Sequence, residues 1–281
     1  MELLDLETLI DTAIKEDIGK GDITTALCLA KEPVIEAQII TNEEGIIAGL
    51  DIACIVFKKI NEKTRFKKKV EDGEWIKKGN VITSIKGKAQ DILAGERVAL
   101  NFLQHLSGIA TSTFKFVEAV KPYPAKIYDT RKTHPGLRAI EKYAVKIGGG
   151  NNHRFGLYDG ILIKDNHLKI AGGVTAAIKQ VQLNPPRGMK IEVETKNLDE
   201  VKEAVALGVD VIMLDNMSFE MIREAVKIIK AGNKNILIEV SGGVSLKNVH
   251  QIASTGVDII SIGALTHSSK ALDLSLEIVS V

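Results

Sequence analysis

The sequence predicts an α/β protein whose larger part is a parallel barrel left incomplete. Three observations carry this. From residue 125 on, short apolar runs alternate with amphipathic segments of helical length, the pattern of repeated strand–helix units. The runs are nearly continuous in Ile, Val and Leu, as in strands covered on both faces. They are six: AKIYD (125–129), GILIK (160–164), KIEVE (190–194), DVIML (210–214), ILIEV (236–240) and DIISI (258–262). A full eightfold barrel needs two more. A doubly wound open sheet is the rival, but no GxGxxG follows the first strand, which counts against a dinucleotide fold.

Residues 3–17 place Leu3, Leu4, Leu6, Leu9, Ile10, Ala13 and Ile14 on roughly one helical face. Gly19-Lys20-Gly21-Asp22 ends that helix, and Ile23-Thr24-Thr25 leads out. Residues 34–40 and 45–49 are expected as strands around Asn42-Glu43-Glu44, with a helix over 50–60. Residues 66–89 read as short strands turning at Asp72-Gly73, Lys78-Gly79-Asn80 and Gly87. These hairpins resemble those of lipoyl and biotinyl carriers, but the acidic or Met-Lys-Met context of a modified lysine is missing, so a structural role is expected. A helix spans 90–106, and a second piece, 110–120, follows a break at Ser107-Gly108. Between the six late strands, helices are expected near 136–147, 172–182, 197–207, 218–231 and 245–254.

Composition narrows the function classes. The chain of 281 residues carries a formal charge of only +1, so no overall field favours nucleic acid or a membrane surface. Two cysteines, Cys28 and Cys54, form no CxxC or Cys/His metal spacing. The amino terminus is acidic and amphipathic rather than a basic start with an apolar run, and no apolar run is long enough to span a bilayer. A reducing cytoplasm is the expected compartment.

The chemistry concentrates at the strand ends, where parallel barrels carry their active sites. In order these read Asp129-Thr130-Arg131-Lys132, Lys164-Asp165-Asn166-His167, Glu194-Thr195, Asp215-Asn216, Ser241-Gly242-Gly243 and Gly263-Ala264. The stretch 127–167 also holds Gly148-Gly149-Gly150 and Asn152-His153-Arg154. Arg131, Lys132, Arg154 and Lys164 would repel one another unless an anion met them, and arginine suits carboxylates by its two-pronged geometry. Glu194 and Asp215 suit a hard divalent cation such as Mg²⁺. Gly242-Gly243 and Gly263, leading into helices, suit a phosphate. Each piece has a plainer reading. Asp215 can be a helix cap, Ser241-Gly242-Gly243 a tight turn, Arg97 a solvated charge on its helix, and His105, His250 and His267 structural. Six charged or glycine-rich strand ends in succession favour a site.

These residues resemble a known family. DTRKTHPGLR, EKYAVKIGGGNNHRFGLYDGILIKDNH, IEVET, VIMLDNMS, EVSGGV and DIISIGALTHS, with EDIGKGDITT and ERVALNFLQHLSGIAT before them, resemble the quinolinate phosphoribosyltransferases in unbroken order along nearly the whole chain. Nicotinate phosphoribosyltransferases and a relative linked to molybdenum uptake share parts of the pattern. The resemblance implies an N-terminal α/β sandwich over 1–107, to which 268–281 return, and an open α/β barrel over 108–267. It implies quinolinate and phosphoribosyl pyrophosphate (PRPP) as substrates, Mg²⁺, and a homodimer with shared sites. Arg131, Arg154 and Lys164 would hold the quinolinate carboxylates, joined by Arg97 from the partner. Thr130, Lys132 and His153 would flank the substrates. Glu194 and Asp215 would bind the ribose hydroxyls and metal, directly or through water or substrate. Ser241, Gly242, Gly243, Ile262, Gly263 and Ala264 would cradle the 5′-phosphate, and Lys132, Lys164, Glu194 and Asp215 would carry the chemistry. Three other readings remain: a Schiff-base aldolase with Lys164 as nucleophile, a related pyridine- or molybdenum-linked phosphoribosyltransferase, and a non-catalytic metabolite-binding or carrier protein.

Overall fold

The structure, a computed structural model, describes residues 3–29 and 31–281, with side chains from residue 6 on. The apolar face expected at Leu3 and Leu4 lies outside the described side chains. In chain order the elements are α1 (Leu3–Ile18), α2 (Ile23–Cys28), β1 (Val34–Thr41), β2 (Gly45–Ile46), α3 (Leu50–Ile60), β3 (Arg65–Lys68), β4 (Trp75–Ile76), β5 (Val81–Lys88) and α4 (Ala89–Val120). They continue with β6 (Lys126–Tyr128), α5 (Arg138–Ile147), β7 (Ile161–Ile163), α6 (Asp165–Ala171), α7 (Val174–Gln182), β8 (Ile191–Thr195), α8 (Leu198–Leu207) and β9 (Val211–Asp215). The last are α9 (Phe219–Gly232), β10 (Leu237–Ser241), α10 (Val249–Ala253), β11 (Ile259–Ser261), α11 (Ala264–His267) and β12 (Leu274–Ser280).

Two compact units form. One holds the chain to Phe114 with His134–Gly149 and Ser268–Val281; the other holds Lys115–Thr133 and Gly150–His267. The first contains an antiparallel sheet in the order β12-β1-β5-β3 and the small pair β2-β4. On β1, Ile35, Ala37, Ile39 and Thr41 are buried while the residues between them are not, the period of two that a sheet with one covered face imposes. The stretch 66–89 supplies most of β3 and all of β5, two of this sheet's four strands, and β4 of the small pair.

Residues 134–149 join this unit through polar anchors. Fully buried Glu141 accepts hydrogen bonds from His105 Nε2 at 2.9 Å and His134 Nδ1 at 2.6 Å. Burial pushes its carboxyl pKa up, but the two histidines hold it below the usual value on balance. Tyr143 donates to Asp72 at 2.6 Å, and the same carboxylate accepts from the Gly49 and Leu50 amides.

The expected break at Ser107-Gly108 is absent: Ala89–Val120 is one helix. Ser107 turns its hydroxyl outward from the helix to accept from the Ala48 amide at 3.0 Å. A Cβ on Gly108 would stand 2.2 Å from the Lys270 carbonyl oxygen. The glycine is there to let another segment pass, not to end the helix. Two helices were also not anticipated. Short α2 starts on Asp22, whose side chain accepts from the Thr25 amide, and α6 begins directly after Lys164.

The second unit is a six-stranded sheet in the order β6-β11-β10-β9-β8-β7, parallel throughout. Its edge strands β6 and β7 do not pair with each other, so the barrel is open rather than closed. Its helices are amphipathic. In α9, Ile222, Ala225, Val226 and Ile229 are buried at spacings of three and four. The Ser218 hydroxyl caps its start by accepting from the Met221 amide at 3.3 Å, a contact of the kind that contributes about 1 kcal/mol.

Candidate active site

All six strands send residues to one cavity of about 260 Å³ at their carboxyl ends. Thr130, Arg131 and Lys132 follow β6, and Lys164 follows β7. Glu194, Asp215, Ser241 and Ser261 come from β8 to β11, and His153 and Arg154 from the segment before β7. Parallel register sets the ends level: Asp215 lies beside Ser241, and Ser241 beside Ser261.

The approach to the cavity after β6 is fixed by local bonds. The Lys132 amide donates to Thr130 Oγ1 at 3.0 Å, and its carbonyl accepts from Thr266 Oγ1 at 2.7 Å. Fully buried Asp129 accepts from the His153 amide at 2.8 Å. Arg154 Nη1 donates to the Gly160 carbonyl at 2.8 Å. Burial and then the charge of Arg131 push the Arg154 pKa down, and Glu192 opposes them. Two guanidiniums thus repel each other here, a cost that an anionic ligand would relieve.

Across the cavity, burial and then the charge of Asp215 raise the pKa of Glu194, while Lys164 lowers it. Two half-buried carboxylates lining one cavity fit a hard divalent cation with ligands to spare for water or substrate. Among the described residues, the groups of three or more metal-capable side chains are His105-His134-Glu141, in the first unit, and His153-Glu192-Glu239, of which His153 and Glu239 line this cavity.

The glycine-rich ends adjoin the cavity rather than line it. Gly242 has φ +90°, and a Cβ on it would stand 2.3 Å from Asn216 Oδ1; both facts require glycine. Asn216, itself at φ 52°, donates its amide to the Ser241 carbonyl at 2.9 Å. The turn after Gly243 does not open directly into a helix as expected. Asn248 braces it, accepting from the Ser245 amide at 2.8 Å and donating to the Gly243 carbonyl at 3.0 Å, and α10 begins only at Val249. Gly263 passes close to Lys132, whose Cδ would be 3.0 Å from an added Cβ. The Ile262 amide is committed to the Tyr128 carbonyl at 2.9 Å. Arg97 is exposed on α4 in the other unit.

Leu162, Met213, Asn216, Glu239 and Ser261 also line the cavity and were not anticipated. Glu239, with Glu192 behind it, had a usable signal: a carboxylate in the middle of an otherwise apolar strand. Glu239 is 1% and Glu192 8% exposed. The Oε2 atoms of Glu192 and Glu239 lie 3.3 and 3.5 Å from His153 Nε2, and both Oε1 atoms are buried without a partner. Each such orphan costs about 1–3 kcal/mol. Burial opposes a charge on His153, while the hydrogen bonds and charges of Glu192 and Glu239 favour one. The Arg154 amide opposes this: it points its hydrogen at Nδ1 from 2.8 Å, where the second proton would sit. That contact favours the neutral ring with its proton on Nε2.

The chain is similar along its whole length to proteins already described. Residues 22–107 match the N-terminal domain, and residues 109–277 the C-terminal domain, of quinolinate phosphoribosyl transferase. A probable nicotinate-nucleotide pyrophosphorylase (carboxylating) of Synechocystis sp. is 45% identical over 95% of this chain and 90% of its own. The Bacillus subtilis protein of the same description is 44% identical over 99% and 95%. The solved nicotinate-nucleotide pyrophosphorylase of Francisella tularensis superposes with a TM-score of 0.91 at 42% identity, covering 98% of this chain and 96% of that one.

Proposed function

The chain belongs to the quinolinate phosphoribosyltransferase family, and from that premise we propose that it transfers the phosphoribosyl group of PRPP to quinolinate with decarboxylation. The products are nicotinate mononucleotide, pyrophosphate and carbon dioxide, a step of de novo NAD biosynthesis. The observation that carries this reading is a single cavity holding Arg131, Lys132, Arg154 and Lys164 together with the carboxylates Glu194 and Asp215. The cations meet a dicarboxylate; the carboxylates meet a ribose that becomes positive.

Arg131, Arg154 and Lys164 hold the pyridine dicarboxylate, with Thr130, Lys132 and His153 beside it. Glu194 and Asp215 bind the ribose hydroxyls and stabilise the positive charge that grows on the ribose C1 as pyrophosphate departs. The same two residues are the ones that would hold Mg²⁺, whose charge would offset that of the leaving pyrophosphate. The pyridine nitrogen then bonds to C1. The ring, now a pyridinium, accepts the electron pair left when the adjacent carboxylate departs as carbon dioxide. Lys132, Lys164 or water returns a proton to that carbon. Ser241, Gly242, Gly243, Gly263 and Ala264 receive the 5′-phosphate, with Ile262 taking part through atoms other than its amide. A cytoplasmic homodimer, in which Arg97 completes the partner's site, fits this chemistry. Among the described residues, no helix is long and apolar enough to cross a membrane.

The test is pyrophosphate release with PRPP, Mg²⁺ and quinolinate, with nicotinate as the control. Quinolinate is expected to be strongly preferred, because losing one partner of a buried charge pair typically costs about 2–5 kcal/mol. Equal turnover and affinity for the two acids would sink the proposal.

A further inference from the structure

The segment that carries Arg154 into the cavity has no helix or strand of its own. Residues 152–154 are irregular, and only Asn151 makes an isolated bridge, to Tyr128. The His153 side chain serves as the segment's strut. Its Nδ1 accepts the amide of the next residue, Arg154, at 2.8 Å. Its Nε2 faces Glu192 on β8 and Glu239 on β10 at 3.3 and 3.5 Å. These carboxylates come from strands on either side of β9, so their meeting at one imidazole is a product of the barrel's curvature.

His153, Arg154 and Glu239 also line a second cavity at the amino ends of the strands, together with Glu192. The barrel floor between the two cavities is therefore polar where barrels are usually packed with branched apolar side chains. A cation could be imagined among His153, Glu192 and Glu239. The Arg154 amide argues against it: with Nδ1 accepting, the proton of a neutral ring sits on Nε2 and blocks that nitrogen as a ligand. What the geometry leaves is a hydrogen bond shared by two buried acceptors.

We propose that Glu239, assisted by Glu192, is a positioning residue for the reaction proposed above: it holds the Nε2–H of His153, which fixes the ring's tautomer and, through Nδ1, the place of Arg154. It acts on affinity for the pyridine dicarboxylate through His153, and it rests on quinolinate being the substrate. Without the acceptor the imidazole is free to rotate or change tautomer, and Arg154 loses the strut that holds its amide. The PRPP half of the cavity, built on Glu194 and Asp215, is not held by this contact.

The test compares Glu239→Gln and Glu239→Leu with wild type. Long-range ¹⁵N correlation spectra of the histidine rings, recorded without substrate, read the tautomer of His153. Wild type and Glu239→Gln, whose amide oxygen still accepts, are expected to show the Nε2–H form; Glu239→Leu is expected to lose it. Quinolinate KM should rise about 10- to 100-fold in Glu239→Leu, the scale of a small misplacement of a binding group. It should stay near wild type in Glu239→Gln, with PRPP KM unchanged in both. A folded Glu239→Leu with the wild-type tautomer or an unchanged quinolinate KM overturns the proposal, as does an equal rise in both KM values. Should the leucine variant not fold, the near-isosteric glutamine variant decides: loss of the tautomer or a tenfold rise in quinolinate KM overturns it, and retention of both supports it. If wild type fails to turn over quinolinate, the function proposed above falls, and the substrate-free spectra still decide whether Glu239 holds His153.

Discussion

Replacing Gly242 by alanine tests how the end of β10 is built. Two penalties are visible. Gly242 has φ +90°, and holding an L-residue in left-handed backbone costs roughly 1–2 kcal/mol. The new Cβ would also stand 2.3 Å from Asn216 Oδ1 and 2.5 Å from its Cγ. Asn216 is poorly placed to yield, because it is itself at φ 52° and its amide is bonded to the Ser241 carbonyl. Overpacking of this kind adds about 1–3 kcal/mol. The sum, about 2–5 kcal/mol, is a large part of an ordinary domain's stability. Urea denaturation of Gly242→Ala should register it, and PRPP KM should rise while quinolinate binding, measured by calorimetry, persists. In an Asn216→Gly background the steric part vanishes, because glycine has no side chain and suits the positive φ. There the same substitution should cost only about 1–2 kcal/mol. An equal cost in both backgrounds, or one below about 0.5 kcal/mol in the wild-type background, would refute the reasoning.

Three further outcomes are expected. Glu194→Gln and Asp215→Asn should each cut turnover about 10²- to 10³-fold while quinolinate binding persists; calorimetry showing that binding abolished in both would mean the halves of the cavity are assigned wrongly. The pKa of Glu194 is raised in the folded state by burial and then by Asp215, so its stabilising contribution is present below its unfolded pKa and is lost as pH rises through the folded one. Glu194→Gln should therefore match or exceed wild-type stability at neutral pH, and a marked loss there would contradict the electrostatic reading. For Arg97, co-expression of Arg97→Ala with Lys164→Ala tests the shared-site homodimer. Random pairing makes about half the dimers mixed and about a quarter of all sites intact, so about that fraction of activity should return. No recovery, with mixed dimers confirmed by native mass spectrometry, would reject it.

The sequence alone determined the periodicities. Six Ile- and Val-rich runs separated by amphipathic stretches can bury both faces only as a parallel sheet under helices, and such strands end on one edge. Thr130, Arg131, Lys132, Lys164, Glu194, Asp215 and Ser241 could therefore be read as neighbours before any contact was known, and they line one cavity. Tertiary structure decided what depends on what passes nearby. Gly108 has the composition of a helix break, and only the Lys270 carbonyl against it makes it a close approach within one long helix. Residues 134–149 follow β6 in the chain, yet they belong to the first unit, where Glu141 and Tyr143 bind them to His105 and Asp72. Glu192 and Glu239 lie 47 positions apart on strands that are not adjacent. Period two gives the face on which each lies but not the curvature of the sheet, and it is the curvature that brings both carboxylates to one imidazole.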